Sequence, residues 1–162
     1  MPDGKTHKLV GAETGALYVA YGAKEEDGSN WCVEVAGGIF GGFLGGMCPD
    51  LLEPAISSWH RGAAHSCAAG SGIVAIASAL DAFAQACRVN AEKCKAIEMI
   101  QEREVFVPVV PDPLSQLLIG ICEFMWRFLA GFVKGFAAGY VSHLALDATF
   151  GKRSIPLLMK GF

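Results

Sequence analysis

The chain has four histidines, His7, His60, His65 and His143, and each stands at a polar edge of a long apolar stretch. Asp50 and Asp147 stand at such edges as well. Neutral imidazole and carboxylate are the groups that bind a borderline or hard divalent cation. His143 and Asp147 are spaced i,i+4, which places them on one helix face, one turn apart. They can share an ion, or Asp147 can orient His143 as a supporting carboxylate. Taken alone, that pair is as well explained by an ordinary polar helix terminus. The run His60-Arg61-Gly62-Ala63-Ala64-His65-Ser66 says more. Two imidazoles flank a turn, Gly62 permits an unusual backbone angle there, and Arg61 stands beside them as an anion partner.

The elements that must carry these residues follow from the apolar pattern. Four apolar segments run from about 9 to 23, 31 to 47, 62 to 87 and 114 to 147. A helix needs roughly 20 apolar residues to cross a bilayer. The second and third segments meet that length, the first is marginal, and the last exceeds it and must tilt, break or project. Threading the chain through all four brings His7, Asp50, His60, His65, His143 and Asp147 out on one side. These six are the expected metal ligands, with zinc the first choice of ion and manganese the second. Glycine recurs with a period of four: Gly37, Gly41 and Gly45; Gly38, Gly42 and Gly46; Gly131, Gly135 and Gly139; Gly11 and Gly15. Such rows are flat grooves that let helices approach closely where van der Waals packing replaces the hydrophobic drive. The expected fold class is all-α, a multi-pass transmembrane bundle of about four main helices packed through glycine zippers. One domain spans residues 1–162, with a charged and Pro-rich excursion at about 88–113. Glu123, Arg127 and Lys134, near one face of the last segment, read as a solvated or interfacial stripe.

Composition agrees with that architecture. Apolar residues make up 52% of the chain and charged residues 18%, below the roughly 25% usual in soluble domains. A net charge of −3 gives no reason to expect nucleic acid as a partner. Six cysteines are scattered without metal-finger spacing, mostly in apolar surroundings, and no disulfide framework is expected. No removable signal peptide is read at the start. Lys and Arg are almost evenly divided between the two sides, so the positive-inside rule assigns no orientation.

Pro49-Asp50, the His60–Ser66 run, and Ser142-His143-Leu144-Ala145-Leu146-Asp147-Ala148-Thr149-Phe150-Gly151 together resemble the YdjM-like family of inner-membrane, metal-dependent hydrolases. The opening Lys5-Thr6-His7-Lys8-Leu9-Val10-Gly11 is similar to that family's start. The resemblance covers most of the chain outside about 88–113. It implies a multi-pass helical protein of a bacterial inner membrane that holds a divalent metal and has hydrolase activity; separately, helix ends facing a bilayer surface suit a phosphoester or lipid-linked substrate. Two departures stand out. Leu52 occupies the place of a second aspartate, with Glu53 one residue later as a substitute ligand or base. Ala64 occupies the place of a threonine.

The expected catalytic groups are then Glu53, or alternatively Asp50, to take a proton from an activated water, and Arg61, to hold a phosphoryl oxygen. Membrane lipid is the expected partner, with self-assembly through glycine faces as a further expectation. The alternative is a non-catalytic membrane subunit that keeps the fold and a partial metal site, which Leu52 and Ala64 favour. A soluble helical zinc protein is a third, weaker reading.

Overall fold

The structure is a computed structural model that describes residues 4–23, 28–54, 63–103 and 112–150. Among them are five helices and no strand: α1 (Gly4–Gly22), α2 (Gly28–Leu52), α3 (Cys67–Ala75), α4 (Ala77–Arg103) and α5 (Pro113–Phe150). The all-helical class expected from the sequence is present. Two helices, α2 and α5, are long and apolar enough to cross a membrane. A third span results if α3 and the following part of α4, bent by 43°, count as one broken helix. The expectation of four main spans is therefore met only in part. α1 carries Lys5, His7, Lys8 and Glu13 and is not among the candidate spans.

α2 lies at the centre, packed against α1 and α5, and α4 packs on α5. The glycine rows explain this order. Gly37, Gly41 and Gly45 meet the α5 backbone at Phe128, Phe132 and Phe136 in turn, so α2 and α5 run parallel. Gly42 and Gly46 meet Gly11 of α1, and Gly38 and Gly42 meet Gly15, so α1 runs antiparallel to α2. Gly135 and Gly139 close the contact from α5 onto Gly38 and Gly42. Each glycine inside a helix costs about 1 kcal/mol against alanine. That cost is accepted here because no Cβ fits between these backbones.

Few large apolar side chains are buried among the described residues; Val19, Tyr140 and Leu144 are the main ones. Leu9, Leu17, Phe40, Leu114, Leu117, Leu118, Phe124 and Met125 are exposed, while His7, Glu34, His65, Arg127, His143 and Asp147 are buried. A polar interior with an apolar exterior suits a lipid surrounding, where intramembrane polar groups turn inward to pair. α2 is about 37 Å long and α5 about 57 Å, at 1.5 Å per residue. α5 thus exceeds the roughly 30 Å hydrocarbon core by a wide margin.

Four details depart from the expected pattern. His7 lies inside the first turns of α1 rather than before it. α2 continues through Pro49 to Leu52, because a proline removes only its own N–H and Glu53 N–H still reaches the Pro49 carbonyl at 2.9 Å. The third apolar segment is broken at Ile76, after a Gly70-Ser71-Gly72 run of weak helix formers followed by β-branched Ile73 and Val74. The chain does not leave the bundle at Arg88. α4 is helical to Arg103 and still faces α5 at Cys94, opposite Cys122, and residues 104–111 lie outside the described set.

The expected solvated stripe on α5 is also overturned. Arg127 is only 3% exposed. Its Nη1 lies 3.6 Å from Oε1 of Glu34, whose carboxylate also takes two hydrogen bonds from Arg88 Nε, at 2.9 and 3.0 Å, and one from Arg88 Nη2 at 2.5 Å. One buried carboxylate thus ties α2, α4 and α5 together. Lys134 pairs with Asp81 of α4 at 3.0 Å. The α4–α5 contact around these pairs is a small core of Ala84, Cys87 and Ala130, flanked by Trp126 and Leu129.

Candidate metal centre

The C-terminal turns of α2 and α5, the first turns of α1 and the residues before α3 meet at one end of the bundle. Their approach follows from the glycine contacts, since Gly46 of α2 touches the His7 carbonyl. At this end His65 Nε2 lies 3.2 Å from His143 Nε2 and 3.3 Å from Asp50 Oδ1, and His143 Nε2 lies 3.7 Å from the same oxygen. Three atoms bound to one tetrahedral zinc at about 2.0–2.2 Å are separated by about 3.3–3.6 Å. The triangle found here has nearly those edges. Both histidines are fully buried, whereas the Asp50 side chain is 40% exposed.

The far side of each imidazole is held. His143 Nδ1 donates to the Gly46 carbonyl at 2.7 Å, and His65 Nδ1 donates to Glu53 Oε2 at 3.0 Å. With Nδ1 carrying the proton, each Nε2 presents its lone pair towards the other and towards Asp50. A supporting acceptor of this kind fixes tautomer and ring direction in metal sites. Glu53 Oε1 also accepts the Ala64 N–H at 2.8 Å, so one carboxylate shapes the loop and aims its histidine. Tyr140 of α5 donates to the Ala64 carbonyl at 2.7 Å. Ser66 caps α3, accepting the Ala69 N–H at 3.1 Å, and anchors the other end of the loop.

Electrostatics at the rim follow from these bonds. Burial favours neutral imidazole at His65, but hydrogen bonds to Asp50 and Glu53 outweigh it and raise the pKa above the usual histidine value. Burial likewise works to raise the Glu53 carboxyl, and the bonds from His65 and Ala64 outweigh it and hold it below the ordinary range.

A second group adjoins the first. His7 stacks on His143 with ring centroids 3.9 Å apart, and His7 Nε2 lies 3.4 Å from Asp147 Oδ1. His7, His143 and Asp147 can offer ligand atoms within 4.8 Å of one another, as can Asp50, His65 and His143. His7 Nδ1 is buried with no hydrogen-bond partner among the described residues. Leaving such an atom unsatisfied costs about 1–3 kcal/mol, which a bound ion or water would remove.

Five of the six expected ligands, His7, Asp50, His65, His143 and Asp147, therefore converge from four separate parts of the chain. His60 and Arg61 lie outside the described residues. Glu53 sits at the cluster as expected, but both its oxygens are engaged by the 64–65 loop, which fits a positioning carboxylate better than a base. Two contributors were not anticipated. The Gly46 carbonyl carries no side-chain signature in a sequence. Lys8 lines a cavity of about 210 Å³ with Gly4, Met47, Asp50 and Leu51, and only its place beside His7 could have suggested it.

No family model, curated protein or solved structure matches the chain. The likeness to YdjM-like hydrolases accordingly rests on the sequence motifs alone.

Proposed function

We propose that this chain is a membrane-embedded, metal-dependent hydrolase of a bacterial inner membrane, acting on a phosphoester with an apolar tail. The observation that carries the reading is the Asp50–His65–His143 triangle, with edges of 3.2, 3.3 and 3.7 Å and both imidazoles aimed by acceptors behind them. Three protein ligands with a fourth position left open are the arrangement of catalytic rather than structural zinc. A zinc or manganese ion bound there supplies Lewis acidity and brings the pKa of a coordinated water towards neutrality.

The remaining residues perform the rest. Glu53 and the Gly46 carbonyl keep the two imidazoles in the ligating tautomer. Asp50, the exposed member of the triangle, opens onto the Lys8 cavity, so a substrate approaches from that side. The Lys8 ammonium, 6.0 Å from the Phe43 ring centroid, would turn from that ring to hold an anionic oxygen in the cavity and offset charge that builds on it during reaction. Met47 and Leu51 supply an apolar wall next to that cation, and Leu51 and Leu52 are exposed to whatever surrounds the helix end. A charged head beside apolar surface selects an amphiphile such as a lipid phosphate over a soluble metabolite. His7 and Asp147 flank His143, whose one free nitrogen, Nε2, serves either this pair or the Asp50–His65 pair.

The non-catalytic reading depends on glycine faces that recruit other subunits. Both rows of α2 are covered within the chain by α1 and α5, which favours the enzymatic reading. The test is elemental analysis of detergent-purified protein after incubation with zinc or manganese, together with a phosphodiester and phospholipid hydrolysis screen. Bound metal that is lost in His143→Ala, with turnover lost in parallel, is expected. Lys8→Ala should keep the metal and raise KM. Protein that stays metal-free at saturating zinc and manganese would sink the proposal.

A further inference from the structure

Cys94 and Cys122 form a feature that the metal centre does not use. Their Sγ atoms lie 2.8 Å apart, one on α4 and the other on α5. Both are half-buried, and they stand among polar neighbours: Glu92, Lys93 and Lys95 on α4 are exposed, and Glu123 follows Cys122. The helices run antiparallel here. Asp81 meets Lys134, Arg88 reaches the Glu34 carboxylate beside Arg127, and Glu92 approaches Arg127, all in register with the cysteine pair. The sulfurs are thus brought together by a contact running along both helices. Along α5, Cys122 is about 31 Å from His143 at 1.5 Å per residue, so the pair is remote from the metal centre.

We propose that Cys94 and Cys122 are a redox modification site that closes to a reversible disulfide and clasps α4 to α5. Bridged cysteines have Sγ atoms about 2.05 Å apart, so little helix movement is needed to bond these two. The co-reactant is a disulfide, either a small molecule such as oxidised glutathione or an exchange protein. One cysteine, as thiolate, attacks a sulfur of that disulfide, forming a mixed disulfide and releasing the first thiol. The second cysteine, also as thiolate, attacks the protein sulfur of the mixed disulfide and releases the second thiol. In total, two protein thiols give up two electrons and two protons, and the donor disulfide takes them up as two thiols. The polar end of α4 gives a water-borne oxidant access that a thiol deep in lipid would not have.

The consequence is mechanical. α4 rests on α5 through a small alanine and cysteine core and a few ion pairs, so a covalent tie at its polar end fixes how it lies. The tie also closes the chain segment between residues 94 and 122 into a loop, which restricts the unfolded chain.

The experiment uses the full chain in detergent, treated with oxidised glutathione or with dithiothreitol, then alkylated with a mass-tagging maleimide under denaturing conditions. Two fewer of the six cysteines should react after oxidation, one peptide linked through Cys94 and Cys122 should appear, and dithiothreitol should restore both. The melting temperature should be about 10 °C higher in the oxidised form, and metal content should be unchanged. Cys94→Ser should abolish the linked peptide and leave Cys122 to alkylation or to a glutathione adduct. Wild-type protein that keeps all six thiols alkylatable after oxidation, or that links Cys94 or Cys122 to a different cysteine, overturns the proposal without requiring any variant to fold.

Discussion

Alanine substitution at two glycines of α5 should have opposite effects on stability. Gly120 has open space around it, with no atom within 4 Å of an added Cβ. Gly120→Ala therefore gains helix propensity alone, about 0.5–1 kcal/mol. Gly135 faces the α2 backbone at Gly38. A Cβ built there meets the Gly38 carbonyl oxygen far inside contact distance, with Gly38 Cα at 2.6 Å and Gly38 C at 2.8 Å. All three are main-chain atoms of a helix and cannot swing aside as a side chain can. Reaching the 3.4 Å of ordinary contact means parting the helices by more than half an ångström. That movement also loosens the neighbouring contacts at Gly131 and Gly139. Overpacking of this kind costs about 1–3 kcal/mol, with rigid surroundings at the upper end. Because propensity cancels between the two variants, their difference isolates the clash at about 3 kcal/mol. In a domain of this size it corresponds to a separation in melting temperature of about 6–12 °C. Circular dichroism melts of both variants in the same detergent supply the measurement. Equal melting temperatures for Gly135→Ala and Gly120→Ala would refute close glycine packing as the basis of the bundle.

Other expectations follow from the site and the buried ion pairs. Glu53→Gln should lower metal affinity about 10–100-fold while stoichiometry at saturating metal stays unchanged, because the carboxylate aims His65 rather than binding the ion; isothermal titration against wild type reads this directly, and unchanged affinity would count against the role. The raised pKa of His65 fixes the sign of a pH effect. Its contribution to metal-free stability is fully present below the unfolded value, about 6.5, and is lost as pH rises through the higher folded value. Metal binding displaces that proton, so metal stabilisation should grow over the same interval. Melting temperatures with and without chelator from pH 5.5 to 8.5 should diverge as pH rises, and parallel curves would contradict the assignment. Glu34→Gln should cost about 3–5 kcal/mol, since it strips a buried anion from Arg88 and Arg127; a loss below about 1 kcal/mol in a denaturation assay would mean that water or lipid phosphate already screens these guanidinium groups.

Much of the fold was legible because membrane helices leave strong one-dimensional signals. Apolar runs gave α2 and α5, and the four-residue glycine period gave their packing faces, since both signals depend on local sequence spacing. The clustering of candidate ligands was legible for a related reason: histidines and aspartates stand out at the ends of apolar segments. The charged groups within or beside those segments were misread. Arg127 looked like a surface residue because its partner, Glu34, lies in another helix with no spacing relation to it, and Arg88 seemed to mark an exit from the bundle for the same reason. The glycine row on α2 could not say which neighbour would cover it, because a groove has no identity until another backbone enters. Likewise, His65 and His143 were nameable from residue type, but their 3.2 Å approach, the turning of both Nδ1 atoms to acceptors, and the change of Glu53 from base to positioning carboxylate depend on where four chain segments meet. The sequence by itself determined the helical class, the close-packing faces and the chemistry available at one end. Tertiary structure alone decided which candidate ligands stand together, which charges are buried and paired, and which cysteines face each other, because each of these is a distance of a few ångströms between residues dozens of positions apart.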